Sequence, residues 1–179
     1  MADRVVALVV THNRKELLVE CLRALLNQWQ RLQKILVIDN ASTDGTQELL
    51  AETGLLSEDL ILYHRLPQNL GGAGGFETGM RLAYEELDWD WIWLMDDDAI
   101  CTSTALKELL AASDALAQWR PAILASRVLY WEGNEPCNVP RFRFNRPWGH
   151  GEPVERVYAA AAAGCIPIRN AQPSKRGNA

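Results

Sequence analysis

Three adjacent carboxylates, Asp96-Asp97-Asp98, stand directly behind a wholly apolar run, Trp91–Met95. Charges so close repel. Two unit charges roughly 4 Å apart cost about 1 kcal/mol in water and about 4 kcal/mol at an effective dielectric of about 20. A divalent cation offsets that repulsion. Carboxylate oxygens suit Mg²⁺ or Mn²⁺, with phosphate groups completing the ligand set. In an extended segment Asp96 and Asp98 point to one side and Asp97 to the other. Asp96 and Asp98 are therefore the candidate metal ligands. The plainer alternative is a solvated acidic turn that caps the next helix.

A single carboxylate, Asp39, follows the apolar run Lys34–Ile38. A carboxylate there accepts hydrogen bonds from ribose hydroxyls or a base N–H edge, or closes its own loop. Asp44, in Ser42-Thr43-Asp44-Gly45-Thr46, reads as a cap or turn former. Gly72-Ala73-Gly74-Gly75-Phe76-Glu77 superficially follows G-x-G-x-x-G, but Glu77 takes the place of the third glycine. The segment also follows a third strand rather than a first, so it is no dinucleotide fingerprint. Its glycines still let backbone approach a ligand, or simply form a flexible connection. His12, His64 and His150 have no metal spacing, and His12 reads as a turn residue near the rim. No Ser-His-Asp or Cys-His arrangement stands out. Trp89, Trp91 and Trp93 alternate and read as packing on one side of an extended segment.

These residues need elements to hold them. Arg4–Val10 is a β-branched apolar run and reads as a buried strand. Thr11–Arg14 is a turn in which Asn13 can cap a helix carrying Leu18, Cys21, Leu22, Leu25, Leu26 and Trp29 on one face. Lys34–Ile38 is a second strand, and a second helix starts near Ser42–Asp44. Leu60–His64 is a third strand. Pro67–Gly75 reads as a flexible loop feeding a helix over Phe76–Leu87. Trp91–Met95 is a fourth strand. Thr102 or Ser103 can cap a helix with Leu106, Leu109 and Leu110 as its stripe, and Ala122–Ser126 and Val128–Trp131 are further strands. The alternation implies an α/β fold: a mostly parallel central sheet with helices on both faces. Sites in such sheets lie beyond the carboxyl ends of the strands. Thr11–Arg14, Asp39–Thr46, Asn69–Gly75 and Asp96–Asp98 all fall there, on one rim.

Composition bounds the function. The 179 residues carry 18 Lys and Arg against 23 Asp and Glu, a net charge of −5. Residues 1–140 hold 11 basic and 21 acidic residues, while 141–179 hold 7 basic and 2 acidic. An acidic main body argues against nucleic acid as a partner, though not against a phosphate held through a metal. No apolar run approaches the length of a membrane span, and the N-terminus lacks the pattern of a secretory signal. Cys21, Cys101, Cys137 and Cys165 are far apart with no CxxC pair, which argues against a zinc site or disulfide framework and for a reduced, cytoplasmic compartment. Six of the eight prolines lie from Pro136 onward, where periodicity is lost and the basic tail reads as solvated surface.

Four segments in order resemble the inverting family 2 glycosyltransferases of GT-A fold, in the branch of rhamnosyl- and galactofuranosyltransferases. They are Val6–Arg14 (VALVVTHNR), Val37–Thr46 (VIDNASTDGT), Asn69–Gly75 (NLGGAGG) and Trp93–Ala99 (WLMDDDA). The resemblance covers about residues 4–131 and implies a Rossmann-like GT-A nucleotide-diphospho-sugar transferase fold. It implies a donor-binding core over 1–131 and a partial acceptor-side segment with an irregular tail over 132–179. It implies a UDP or dTDP sugar as donor and Mg²⁺ or Mn²⁺ as cofactor. The acceptor would be a glycan or lipid-linked, in cell-wall or polysaccharide synthesis, in the cytoplasm or peripherally at the inner membrane face. Thr11 and Asn13 would lie by the nucleotide, Asp39 at the base with Asn40 beside it, and Gly71, Gly72 and Gly74 against the nucleotide. Asp96 and Asp98 would form the D-x-D element that places the metal and diphosphate, with Asp96 and Asp97 also at the nucleotide. The family takes its general base from a later acidic motif. After Val128 the only carboxylates are Glu132, Glu135, Glu152 and Glu155, and none sits in such a motif. Val157–Asn170 resembles the run before that motif, and Gln172–Ala179 matches nothing expected. The chain thus reads as a truncated transferase whose donor half is present. The alternative is a nucleotide-sugar-binding fragment without the base. An unrelated Mg²⁺-using phosphate enzyme is disfavoured by the missing P-loop.

Overall fold

Val5–Thr11 (β1) is buried along its whole length, as a strand covered on both faces must be. The computed structural model describes residues 3–119 continuously and, beyond them, 121–124, 126, 128–129, 136–137 and 165–169. The elements that follow are α1 (Lys15–Leu26), β2 (Lys34–Asp39), α2 (Thr46–Glu52), β3 (Ile61–Arg65), α3 (Gly71–Glu86), β4 (Trp91–Asp96) and α4 (Ala105–Ala115). Short strands β5 (Val128–Leu129) and β6 (Pro136–Cys137) pair with each other. β7 (Cys165–Arg169) joins the main sheet, whose order is β3-β2-β1-β4-β7. β1 to β4 run parallel, and β7 lies antiparallel against β4.

Alternate residues of β1 feed two cores. Val5, Ala7 and Val9 pack with Leu18, Cys21, Leu22 and Leu25 of α1 and with Leu106 and Leu109 of α4. Val6, Leu8 and Val10 pack with Ala83, Phe76 and Met80 of α3. Trp91 and Trp93 belong to the first core, whereas Trp89 precedes β4 and belongs to the second. The three tryptophans are buried packing, but they do not share one side as their alternation implied.

The glycine-rich stretch is helix, not loop. α3 begins at Gly71, five residues before the expected start at Phe76. Glycine disfavours a helix by about 1 kcal/mol per residue, so packing must outweigh propensity here. A Cβ on Gly75 would stand 2.6 Å from Val10 Cγ1, and one on Gly79 would stand 2.9 Å from Ile38 Cγ1. The missing side chains let α3 seat directly on β1 and β2.

Helix ends also differ from expectation. α1 stops at Leu26 rather than Trp29. Trp29 N–H donates to Ser103 O at 2.9 Å, which draws the chain off the helix and leaves the indole 71% exposed beneath the Lys107 ammonium. None of α1 to α4 takes a cap from the side chain of its own N-cap residue. Asn13 therefore does not cap α1; Lys15 N–H instead donates to Asp44 Oδ2. Thr102 and Ser103 do not cap α4; Gln28 Oε1 accepts from Leu106 N–H. α2 starts at Thr46, after Gly45 at φ +85°, rather than within Ser42–Asp44. Ile123 forms an isolated bridge, and of the expected strands Ala122–Ser126 and Val128–Trp131, Ala125, Tyr130 and Trp131 lie outside the described residues.

Candidate functional site

Parallel registry sets the ends of the strands level. Thr11 pairs with Asp39, Asp39 with Arg65, and Val10 with Asp96. The loops leaving those strands therefore meet at one rim. They enclose an open cavity of about 440 Å³, bounded by Thr11, His12, Arg14, Asn40, Asn69, Gly71, Gly72 and Asp96–Asp98. That is the size of a small-ligand site, at the position where parallel sheets carry them.

Cross-loop bonds hold the rim. Asn13 sits at φ +55°, and Ala41 at φ +61°. Both are non-glycine residues in the left-handed region, which is uncommon and clusters at functional loops. Asn13 N–H donates to Ser42 Oγ at 3.0 Å, and Asn13 Oδ1 accepts from Thr43 N–H at 2.7 Å. Lys15 Nζ donates to Asp44 O at 2.8 Å. The first and second loops are thus stitched in both directions. Asn40 binds the third: Nδ2 donates to Gly71 O at 2.9 Å and Oδ1 accepts from Leu70 N–H at 2.7 Å.

Asp39 lies under the rim and not among the residues bounding the cavity. It is fully buried, with Oδ1 accepting from Ser42 N–H at 2.7 Å and Oδ2 accepting from the Tyr63 hydroxyl. Arg65 Nε stands 3.8 Å away. Burial and the carboxylate together push the Tyr63 hydroxyl well above its ordinary value, so it stays a donor. Tyr63 and Arg65 were not singled out in the sequence; only the β2–β3 registry brings them to Asp39.

The segment does not stay extended as the alternation required: β4 ends at Asp96, and Asp97–Asp98 form a turn in which Ala99 N–H donates to Asp96 O at 3.2 Å. Asp96 and Asp98 are exposed to the cavity and Asp97 is buried. Asp97 Oδ2 accepts from the Thr11 hydroxyl at 2.7 Å. Arg14 Nη1 donates to Asp98 Oδ2 at 2.8 Å and lies 3.3 Å from Asp97 Oδ1. Desolvation, then the charges of Asp98 and Asp97, raise the Asp96 carboxyl above its ordinary value; Arg14 pulls it back only partly. The site holds more negative charge than the protein neutralises. Among the described residues no three His, Cys, Asp or Glu side chains are grouped to hold a metal ion. Two carboxylates with phosphate oxygens from a ligand are, however, the donor set that Mg²⁺ commonly uses, so Asp96 and Asp98 fit such an ion when a phosphate ligand is present.

Of the residues expected at the nucleotide, Thr11, Asn40, Gly71, Gly72, Asp96 and Asp97 bound the cavity. Asn13, Asp39 and Gly74 do not; Gly74 instead lies against the Leu70 side chain. His12, expected as a turn residue, reaches the cavity. Arg14, placed on the rim by the turn Thr11–Arg14, does so too; its contact with the triplet is not legible, since only the pairing of β1 with β4 sets it there. Glu132, Glu135, Glu152 and Glu155 lie outside the described residues.

Comparison with known proteins adds to this geometry. Galactofuranosyltransferase GlfT1 of Mycolicibacterium smegmatis is 41% identical over 122 residues, covering 66% of this chain and 39% of its own. Abequosyltransferase RfbV of Salmonella typhimurium is 35% identical over 109 residues, 60% of this chain and 32% of its own. The chain spans about two fifths of the length of the galactofuranosyltransferases it matches. Among solved structures, S. aureus TarS 1–349 superposes with a TM-score of 0.60 at 21% identity, over 80% of this chain and 40% of that one. The mannosyltransferase PcManGT from Pyrobaculum calidifontis, in complex with GDP-Man and Mn²⁺, gives 0.56 at 26% identity, over 72% and 36%. The fold is the Rossmann-like GT-A fold. The family model described as glycosyl transferase family 2 matches residues 6–161. With four strand-end loops converging on an acidic cavity in that fold, the chain belongs to glycosyl transferase family 2.

Proposed function

We propose that the cavity binds a nucleotide-diphosphate sugar, UDP- or dTDP-linked, and that the protein transfers its sugar with inversion to a glycan or lipid-linked acceptor. The observation that carries the reading is the exposed pair Asp96 and Asp98, facing the same cavity as Gly71 and Gly72. Family membership and the Mn²⁺ and nucleotide-sugar ligands of the mannosyltransferase structure support it. The resemblance lies in the rhamnosyl- and galactofuranosyltransferase branch, in cell-wall or polysaccharide synthesis, and the GlfT1 likeness supports galactofuranose as the sugar proposed.

Mg²⁺ or Mn²⁺ bound at Asp96 and Asp98 would neutralise the leaving nucleoside diphosphate as a Lewis acid. The chain's own residues do the positioning. Asn40 fixes the Asn69–Gly71 turn, and α3 begins there with backbone N–H groups free of intrahelical partners. Thr11 holds Asp97 so that its neighbours face outward. The acceptor hydroxyl attacks the anomeric carbon from the face opposite the diphosphate. A carbon–oxygen bond forms as the bond to the diphosphate breaks, the diphosphate leaves with the bonding electrons, and the acceptor's proton passes to the acceptor-side carboxylate base that the family resemblance implies, with the barrier lowered by orientation. Residues 1–131 form the donor core in this reading and 132–179 contribute to the acceptor side. No helix among the described residues is long and apolar enough to cross a membrane. A cytoplasmic place, at or near the inner membrane face, follows from the substrates proposed.

Donor binding without transfer is the second reading. It is favoured by one observation: the only carboxylates among the described residues bounding the cavity are Asp96, Asp97 and Asp98, which leaves none there to take the acceptor's proton. Sugar transfer and donor hydrolysis with Mn²⁺, measured beside calorimetric binding of UDP and dTDP sugars, separate the two. Turnover abolished by Asp98→Ala supports transfer. Metal-dependent binding with no turnover supports the second reading, and no metal-dependent binding of any nucleotide sugar sinks both.

A further inference from the structure

Arg14 is the only arginine or lysine among the described residues bounding the cavity, and it is spent on the acidic triplet. We propose that Arg14 is a positioning residue that occupies the triplet in place of a divalent cation while the donor is absent, and moves to the donor's diphosphate when the cation binds. The proposal rests on the donor-site reading above and deepens it.

The geometry divides the triplet into a fixed and a free part. Asp97 is fixed by the buried Thr11 hydroxyl on Oδ2, and Arg14 adds only a longer contact of 3.3 Å to its Oδ1. Asp98 is half-exposed and meets Arg14 through a single bond at 2.8 Å. Arg14 itself is half-exposed, on the residue just before α1, so its long side chain can turn without disturbing the core. An exposed pair of this kind is weak and exchangeable.

Charge then sets the order of events. Without a donor, a divalent cation at Asp98 would stand beside the guanidinium, and the two positive groups repel. A diphosphate in the cavity changes the balance, since it offers the planar guanidinium two oxygens at once. The cation takes the carboxylates and Arg14 takes the phosphate. Cation and nucleotide would therefore bind with positive coupling, and Arg14 would carry part of it. A lysine holds the charge but lacks the fork, so it would perform only part of the exchange.

The test uses the full chain, with Mn²⁺ alone followed by electron paramagnetic resonance and UDP binding in saturating Mn²⁺ followed by calorimetry. Arg14→Ala is expected to bind Mn²⁺ alone about threefold more tightly than the unmodified chain. It should bind UDP with Mn²⁺ about tenfold more weakly. Arg14→Lys should fall between on both measures. Arg23→Ala removes an equal charge from the exposed last turn of α1 and should move neither. Circular dichroism and thermal unfolding check that each variant folds, and Arg14→Lys serves if Arg14→Ala does not. Mn²⁺ and UDP binding that weaken together, or stay unmoved, in the Arg14 variants overturn the proposal alone. An unmodified chain that binds neither Mn²⁺ nor UDP overturns the donor-site reading and the proposal with it.

Discussion

The Thr11 hydroxyl donates to Asp97 Oδ2 at 2.7 Å across the seam between β1 and β4, and both groups are buried. This bond explains why the middle carboxylate of the triplet turns inward. It also ties two strand ends that the sheet registry leaves level at the cavity. Asp96 and Asp98, on either side of the anchored residue, are exposed.

Thr11→Val keeps the shape and removes the donor. A buried carboxylate then loses a charge-assisted hydrogen bond, worth about 1.5–3 kcal/mol. Thr11→Ser keeps the hydroxyl and should lose much less. Urea unfolding of the three proteins checks this, and a midpoint for Thr11→Val equal to that of Thr11→Ser would show that the bond stabilises nothing.

The cap that Asp44 gives to α1 makes a prediction about acid. Burial pulls the Asp44 carboxyl up, but hydrogen bonds from Thr46 and from the Lys15 N–H outweigh it and hold it below its ordinary value of 3.8. A carboxyl depressed by folding contributes stability that is present above that value and lost as pH falls through its lower folded value. Asp44→Ala should cost about 1 kcal/mol at neutral pH. The gap between the two proteins should close as pH drops below about 4. Thermal unfolding across that range measures it; a gap that stays constant with pH would assign the effect to packing instead.

Much of this arrangement is legible in the sequence. The apolar runs of β1, β2 and β4 give the strands, and the polar residues that end them give the rim. Asp44 reads as a cap or turn former, but which helix each cap serves is not legible, because the caps come from other loops: Asp44 to α1, and Gln28 to α4. Local capping rules pointed to Asn13 and to Thr102 or Ser103, which sit nearby in sequence only. β7 is equally hidden, since Pro167 interrupts its pattern and its partner β4 lies far back in the chain, with Met95 opposite Cys165. Asp39 reads by position as a ligand contact or a loop-closing carboxylate; Ser42 N–H closes its loop on one oxygen, and the Tyr63 hydroxyl engages the other. Their approach depends on how β2 and β3 align.

Two of the cysteines should be inert. Cys21 is buried on the core face of α1, and burial pushes its thiol far up; burial pushes Cys101 up to about 11. The thiolate is the reactive form. At pH 8 Cys101 would hold about one thiolate in a thousand, before any steric block is counted. Iodoacetamide labelling of the folded chain, read by peptide mass mapping, should leave Cys21 and Cys101 unmodified until denaturant is added. Rapid labelling of either in the native protein would contradict this packing.

The glycines of α3 separate propensity from packing within one helix. At Gly72 a Cβ meets nothing within 4 Å, and its φ is not in the left-handed region. Gly72→Ala should therefore stabilise the fold by up to about 1 kcal/mol, the ordinary gain of alanine over glycine in a helix. At Gly79 the same atom would press on Leu8 Cδ2 and Ile38 Cγ1, each at 2.9 Å. Leu8 and Ile38 are fully buried, so neither has room to turn aside. Overpacking there costs about 1–3 kcal/mol, which exceeds the propensity gain. Gly79→Ala should thus lower the unfolding midpoint while Gly72→Ala raises it. The same displacement would push α3 off β1 and β2 and move its first turn, where Gly71 and Gly72 bound the cavity. Gly79→Ala should therefore weaken UDP binding as well as stability, and calorimetry on the folded variant reads that second effect. Equal shifts in stability for the two variants would mean that the glycines serve propensity alone and do not seat the helix.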